Sequence, residues 1–221
     1  MANEVIIIGA GGLGREALMT LREHNRHNLS DNGPLNFLGF VADSGEKNIH
    51  NEPVLGDDIW AFANLSRHIR FVVAIGNPTR RRKVAEKYIQ AGFEPFRLIH
   101  PSAITSEYVH LGLGAIVLPG AVLTTDIRTG IFTLINPRVS LAHDVVTGDF
   151  VTLGPGAIIC GEVVVEAEVE IGAGAVVLPR LTLGKGCLLG AGAVATRNLE
   201  PGKTYIGIPA RPMFAKLSGT P

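Results

Sequence analysis

Residues 135–194 read INPRVS LAHDVV TGDFVT LGPGAI ICGEVV VEAEVE IGAGAV VLPRLT LGKGCL LGAGAV. Written in sixes, every block opens on an aliphatic residue or a threonine. The phase extends both ways: Ile99, Thr105, Leu111, Val117, Leu123 and Thr129 precede this stretch and Ala195 follows it, making 17 hexads in one register. The fifth position is small or branched throughout, as at Ala121, Val139, Val145, Ala157, Val163, Ala175 and Cys187. A six-residue period of this length marks a parallel β-helix, in which each hexad gives a short strand and a corner and neighbouring coils bury a shared core. Three hexads close one triangular coil, so residues i and i+18 stand one above the other. Glycines recur at the second position (Gly112, Gly130, Gly148, Gly154, Gly172, Gly184, Gly190), where a tight corner is expected to need unusual dihedrals.

Before residue 99 the texture changes. Val5–Ile8 is an apolar run that ends in Gly9, Gly11, Gly12 and Gly14, and Glu16–His24 has a helical apolar spacing in Ala17, Leu18 and Leu21. Residues 25–36 are rich in turn formers, Phe37–Val41 is a second strand ending at Asp43, and a loop leads to a short helix around Asp57–Leu65. Phe71–Ile75 is a third strand closed by Gly76, Asn77 and Pro78, and Arg80–Ala91 a third helix. Strands alternating with helices predict a small parallel sheet. The expected organisation is therefore an α/β, Rossmann-like domain over residues 1–98 and a β-helix over 99–221, its tail from Glu200 onward covering the last coil.

Composition narrows the function classes. Lys plus Arg balances Asp plus Glu at 20 each, which offers neither a nucleic-acid surface nor a polybasic membrane anchor. There is no apolar run of transmembrane length and no secretion-signal pattern, so a cytoplasmic location with a small-molecule partner is the expectation. Two cysteines without metal spacing imply no metal site; Cys187 has the phase of core filler, and Cys160, beside Gly161, has no histidine in phase to activate it as a nucleophile.

Two constellations carry chemistry. Gly9, Gly11 and Gly14 fit G-x-G-x-x-G between a strand and a helix, where backbone N–H groups and the helix start can cradle a phosphate. Asp43 after the second strand can accept hydroxyls, and Gly76 and Asn77 should open on the same sheet edge. Fewer than 100 residues make only half a doubly wound sheet, which fits a mononucleotide or nucleotide-sugar better than a dinucleotide; the alternative is glycines that merely permit a turn. In the coil, His143 precedes Asp144 at a corner, with Thr125 below it and Gly161 above leaving room for the ring. Asp144 shares its column with Asp126 and Glu162, a negative field expected to make the imidazole a stronger base; the alternative is a solvated corner histidine. A second column, Pro155, Ala173 and Ala191, has the clearance a narrow cofactor would need.

With these in hand the chain resembles the bacterial sugar acyltransferases of the hexapeptide-repeat, left-handed β-helix class, in the group holding sialic acid O-acetyltransferases and UDP-4-amino-sugar N-acetyltransferases. The similarity runs through IIIGAGGLGREA, GFVADS, VLGDD, VAIGNPTRRRK, LIHPSA, INPRVSLAHDVVTGDFVTLGPGA, GAGAVVLPRLTLG and IGIPARPM. It implies a left-handed coil, against the usual crossover hand, a nucleotide-sugar on the N-terminal domain, a homotrimer, and acetyl-CoA bound between protomers. It implies His143 as catalytic base, Asp144 as the acid behind it and Asn136 as an active-site asparagine. Gly161, Ala173, Ala191 and position 152 fall on the coenzyme A contacts, and Gly11, Gly12, Leu13, Asp43, Gly76 and Asn77 on the nucleotide-sugar contacts. Three departures stand out: Thr152 replaces a histidine found nine residues after the first in some members, Leu13 replaces a polar residue, and Ala42 precedes Asp43 where two aspartates are frequent. The resulting expectation is transfer of an acetyl group from acetyl-CoA to the amine of a UDP-4-amino sugar. The alternatives are acetylation of a sugar hydroxyl such as one of sialic acid, a non-catalytic β-helix that binds nucleotide-sugars, and a nicotinamide-dependent enzyme.

Overall fold

The computed structural model describes residues 3–27 and 33–213. Residues 28–32 of the expected turn-rich segment and 214–221 of the tail lie outside the described residues. The N-terminal strands and helices are β1 (Glu4–Ile8), α1 (Gly12–His27), β2 (Asn36–Val41), β3 (Asn48–Ile49), β4 (Glu52–Gly56), α2 (Asp58–Asn64), β5 (Arg70–Val73), α3 (Pro78–Gln90) and β6 (Glu94–Pro95). They form one sheet in the order β3-β4-β2-β1-β5-β6, parallel except for β3. The segment expected as a loop before α2 carries β3 and β4. Its alternation is broken by Pro53 and Gly56, which hid the pattern from a reading by period. The first helix also starts earlier than its apolar spacing suggested, at Gly12, because the glycine turn itself forms its first residues. Asp57 caps α2 through the Trp60 N–H, and Asn77 caps α3 through the Arg80 N–H with Pro78 at the first turn.

From Leu98 onward the chain winds as three sheets of two-residue strands. Face I climbs through Leu98–Ile99, Ile116–Val117, Leu134–Ile135, Thr152–Leu153, Glu170–Ile171 and Leu188–Leu189, and ends in Thr204–Ile206 and Arg211–Pro212 from the tail. Face II runs from Ile104–Thr105 to Val194–Ala195, and face III from Arg128–Thr129 to Thr182–Leu183. Within the hexads each rung pairs in parallel with the residue 18 positions on, as Leu134 with Thr152 and Ser140 with Ile158; the tail closes face I with Leu188 paired to Thr204 and an antiparallel last strand. The first and fifth hexad positions point inward and form a single core that includes Val117, Leu141, Val163, Leu183 and Cys187. Burial pushes the Cys187 thiol up to about 11, with Glu166 adding to the effect, as suits core filler.

The corners correct one expectation. The left-handed backbone is found at the fourth hexad position, at Asp126, Phe132, Arg138, Asp144, Phe150, Glu162, Glu168 and Arg180 as well as at Gly156 and Gly174. The second-position glycines have no such dihedrals. They are glycine because the next coil presses on them: a Cβ on Gly154 would lie 2.6 Å from the Ala173 nitrogen, and one on Gly172 2.4 Å from that of Ala191.

The α/β unit sits on face I. Leu18 and Leu21 of α1 pack in one cluster with Leu98, Ile116 and Leu134, the outward residues of that face. On the other side of the sheet Phe71, Ala85, Tyr88 and Phe93 join Phe132 and Phe150 from the corner between faces III and I. The two corner rings are stacked 5.5 Å apart and nearly parallel, and Phe71 packs on Phe132 at 6.0 Å.

Candidate active site

The sheet edge comes first in the chain. β1 is flanked by β2 and β5, so the residues following these parallel strands, Gly9–Gly12, Asp43 and Gly76–Asn77, emerge side by side. The glycines there have two different causes. Gly9 has φ of 101°, and a Cβ on Gly14 would stand 2.1 Å from the Gly9 carbonyl oxygen, so both are set by the turn. Gly11, Gly12 and Gly76 are exposed, and a Cβ on any of them would meet nothing within 4 Å. The packing of the fold does not need those three to be glycine, and their backbone is open to close approach. Leu13 turns inward to pack with the cluster under α1. Asp43 is exposed beside a hollow of about 270 Å³ shared with Asp57, Asp58 and Lys87. A cleft of about 500 Å³ opens between Asn77–Thr79 and Glu168, Glu170, Lys185 and Leu188 of the coil. The Asn77 side-chain oxygen is engaged as the α3 cap and its carbonyl accepts from the Arg81 N–H, which leaves its backbone N–H as the donor at the sheet edge.

His143 projects from the corner between faces II and III, its side chain 57% exposed. Its Nδ1 lies 2.8 Å from Asp144 Oδ2. The ring rests against Gly161, where a Cβ would come within 2.5 Å of Cε1 and Nε2. The expected column is thus real: Asp144 donates its N–H to the Thr125 carbonyl, and Glu162 donates to that of His143. The carboxylates of the column do not act as one group, however. Asp126 accepts from the Thr125 hydroxyl at 2.8 Å and Glu162 from Arg180 Nε at 3.1 Å, leaving Asp144 alone on the imidazole. A histidine whose Nδ1 proton is held by a carboxylate presents Nε2 as an acceptor, the arrangement that removes a proton from an attacking nucleophile.

The remaining expected residues lie elsewhere. Asn136 starts the corner between faces I and II and donates to the Leu153 carbonyl at 2.7 Å. Ala173 and Ala191 are exposed on that same corner, one edge away from Gly161. Thr152 points outward from face I but is buried under the α/β unit; its hydroxyl donates to the Gly76 carbonyl at 2.8 Å and accepts from Arg81 at 3.0 Å. In this chain that hydroxyl is engaged within the protein. One chain therefore does not gather the set, because the sheet edge overlies face I and His143 occupies the corner opposite that face. Among the described residues no cluster of three or more His, Cys, Asp or Glu could hold a metal, and no helix is long and apolar enough to cross a membrane.

Sequence reading passed over Arg81. It is 1% exposed and sits on the buried face of α3 with Pro78, Ala85 and Tyr88. The spacing 78, 81, 85, 88 is helical and separates Arg81 from Arg80 and Arg82, so a signal was present.

Comparison with known proteins fits this geometry. A family model described as the PglD N-terminal domain matches residues 4–88. Perosamine N-acetyltransferase from Caulobacter crescentus, solved as a mutant in complex with CoA and GDP-perosamine, superimposes with a TM-score of 0.87 at 31% identity, over 96% of this chain and 97% of that one. The chain belongs to the bacterial sugar N-acetyltransferases of the hexapeptide-repeat class. The acetyltransferase domain of PglB from Neisseria gonorrhoeae gives 0.88 at 29% identity, over 96% of this chain and all of that one. WeeI from Acinetobacter baumannii gives 0.85 at 30%, over 95% and 99%. No curated protein sequence matches the chain. This N-acetyltransferase has the left-handed β-helix of its class and moves an acetyl group from acetyl-CoA to a sugar amine.

Proposed function

We propose that the acceptor is an amino sugar carried on a nucleoside diphosphate, held at the sheet edge by Gly11, Gly12, Leu13, Asp43, Gly76 and Asn77, with residues 1–98 serving as the nucleotide-sugar domain and 99–221 as the acyltransferase domain. The three glycines that nothing in the fold requires, Gly11, Gly12 and Gly76, carry this reading. His143 Nε2 takes the amine proton as nitrogen attacks the thioester carbon, and the C–S bond then breaks to release coenzyme A. Asp144 holds Nδ1 and stabilises the imidazolium that forms. Attack by the amine is direct and needs no acyl-enzyme, since His143 activates the amine itself.

The site is assembled between copies of the chain, in a trimer. Asn136, Ala173 and Ala191 occupy one corner and His143 and Gly161 the next, and a threefold arrangement brings the first corner of one copy against the second of its neighbour, with coenzyme A along the seam. The outward residues Ile104 and Ile158 of face II are exposed, an apolar surface suited to such packing. The enzyme works in the cytoplasm, where acetyl-CoA is made available.

The test is incubation with labelled acetyl-CoA and a panel of UDP- and GDP-linked sugars bearing either an amine or only hydroxyls. The expected product is an amide on one nucleotide-linked amino sugar; an ester, or transfer only to free sugars, overturns the reading.

A further inference from the structure

Arg81 places a guanidinium in the junction between α3 and the coil, where its hydrogen-bond partners among the described residues are all neutral. Nε donates to the Phe132 carbonyl at 2.9 Å. Nη1 donates to the carbonyls of Ile75 at 2.8 Å and Gly76 at 2.7 Å. Nη2 donates to the carbonyls of Phe150 at 2.8 Å and Val151 at 3.1 Å and to the Thr152 hydroxyl at 3.0 Å. Burial brings its pKa down to about 10, with Glu170 opposing, so it stays a cation at neutral pH. A desolvated charge met only by neutral acceptors is a costly arrangement for stability alone. The flat fork of arginine is what lets one side chain reach all of them at once.

Two details tie this junction to the substrate edge. First, Phe132 and Phe150 hold φ of 51° and 57°, a strained backbone for bulky residues, and it is their carbonyls that Arg81 takes. Second, the carbonyls on the other side belong to Ile75 and Gly76, at the end of β5. In a trans peptide C=O and N–H point opposite ways. With both carbonyls drawn toward Arg81, the N–H groups of Gly76 and Asn77 are turned away from the coil, at residues that are exposed. Thr152, which donates to the same Gly76 carbonyl, completes the grip from face I.

We infer that Arg81 and Thr152 are positioning residues for the reaction: they fasten the Ile75–Asn77 loop to the coil so that its two N–H groups meet the diphosphate of the nucleotide-sugar. The inference rests on the nucleotide-sugar site proposed above. It differs from a cofactor role for position 152, because the hydroxyl there is committed to the substrate loop.

Thr152→Val keeps the shape and removes the hydroxyl, whereas Thr152→Ser keeps the hydroxyl and removes the methyl. Both are compared with wild type by calorimetric titration of the full-length protein with UDP, GDP and coenzyme A, with thermal melting and sedimentation as checks on folding and assembly. Thr152→Val is expected to weaken binding of the nucleotide that wild type binds by about tenfold. Coenzyme A affinity should hold, and Thr152→Ser should recover most of the loss. Unchanged nucleotide affinity in a folded Thr152→Val protein overturns the inference alone. A loss confined to coenzyme A assigns Thr152 to the cofactor and also overturns it. If wild type binds neither nucleotide, the nucleotide-sugar reading itself fails and the inference falls with it.

Discussion

At His143 the site depends on two neighbours of different kinds, a carboxylate that fixes the ring's tautomer and a glycine that leaves space for the ring. Removing the imidazole removes the base outright, so His143→Ala should lower kcat by about two to four orders of magnitude with little change in nucleotide-sugar affinity. Gly161→Ala tests the second neighbour without touching the base. Its methyl would occupy the place of Cε1 and Nε2, and no small shift relieves a 2.5 Å approach. The ring must swing off Asp144, and the variant should approach the rate of His143→Ala while melting near the wild-type temperature. Steady-state rates and a melting curve decide the matter; a Gly161→Ala enzyme with normal turnover would mean that His143 does not work from the position the structure gives it. Position 152 makes a contrasting case. The identity of Thr152 was evident in sequence, but its role depends on Arg81, 71 residues away.

Within single turns of the coil, glycine serves two purposes two residues apart. Gly156 sits in the left-handed region with open space around its Cα, so Gly156→Ala bears only the dihedral penalty, about 1 kcal/mol. A Cβ at Gly154 meets three backbone atoms of the next coil, from Ile171 to Ala173, at 2.6 to 2.7 Å, and Gly154→Ala should cost about 3 kcal/mol or more. The ranking of the two melting temperatures checks this, and the reverse order would show that corner strain rather than coil spacing limits the fold. The same contrast explains what was legible in the sequence. The six-residue phase fixed which side chains face inward, and buried Leu141, Val163 and Ala175 follow it. It also set the vertical order that puts Gly161 over His143. It could not tell a glycine needed for dihedral freedom from one needed for clearance, since both read as a corner. Nor could it foresee β3 and β4, whose pairing is stabilised by tertiary contact rather than by pattern. The individual partners of Asp126 and Glu162 likewise depend on side-chain reach, which a column of acidic letters does not contain.

Over the whole molecule, the α/β unit lies on face I and His143 on the corner opposite, so under the proposed function a sugar at one chain's sheet edge meets a histidine from another chain. That geometry makes a quantitative claim. A His143→Ala chain retains the sheet edge, and a Gly76→Leu chain, whose added side chain would stand in the open space beside Gly76, retains the histidine; each homotrimer should be close to inactive. Mixed at equal amounts by co-expression or joint refolding, they assemble at random. A site works only where a chain with an intact histidine faces a neighbour with an intact edge, so about a quarter of wild-type activity should return. Sites built within single chains would recover nothing, because every chain in the mixture is defective in one half. The stoichiometry also discriminates: at a three-to-one mixture the expected return falls to about three sixteenths whichever variant is in excess, since each working site needs one chain of each kind. No recovery at either ratio, in a mixture that sedimentation shows to hold both chains in one assembly, would assign the catalytic histidine and the sheet edge to the same chain.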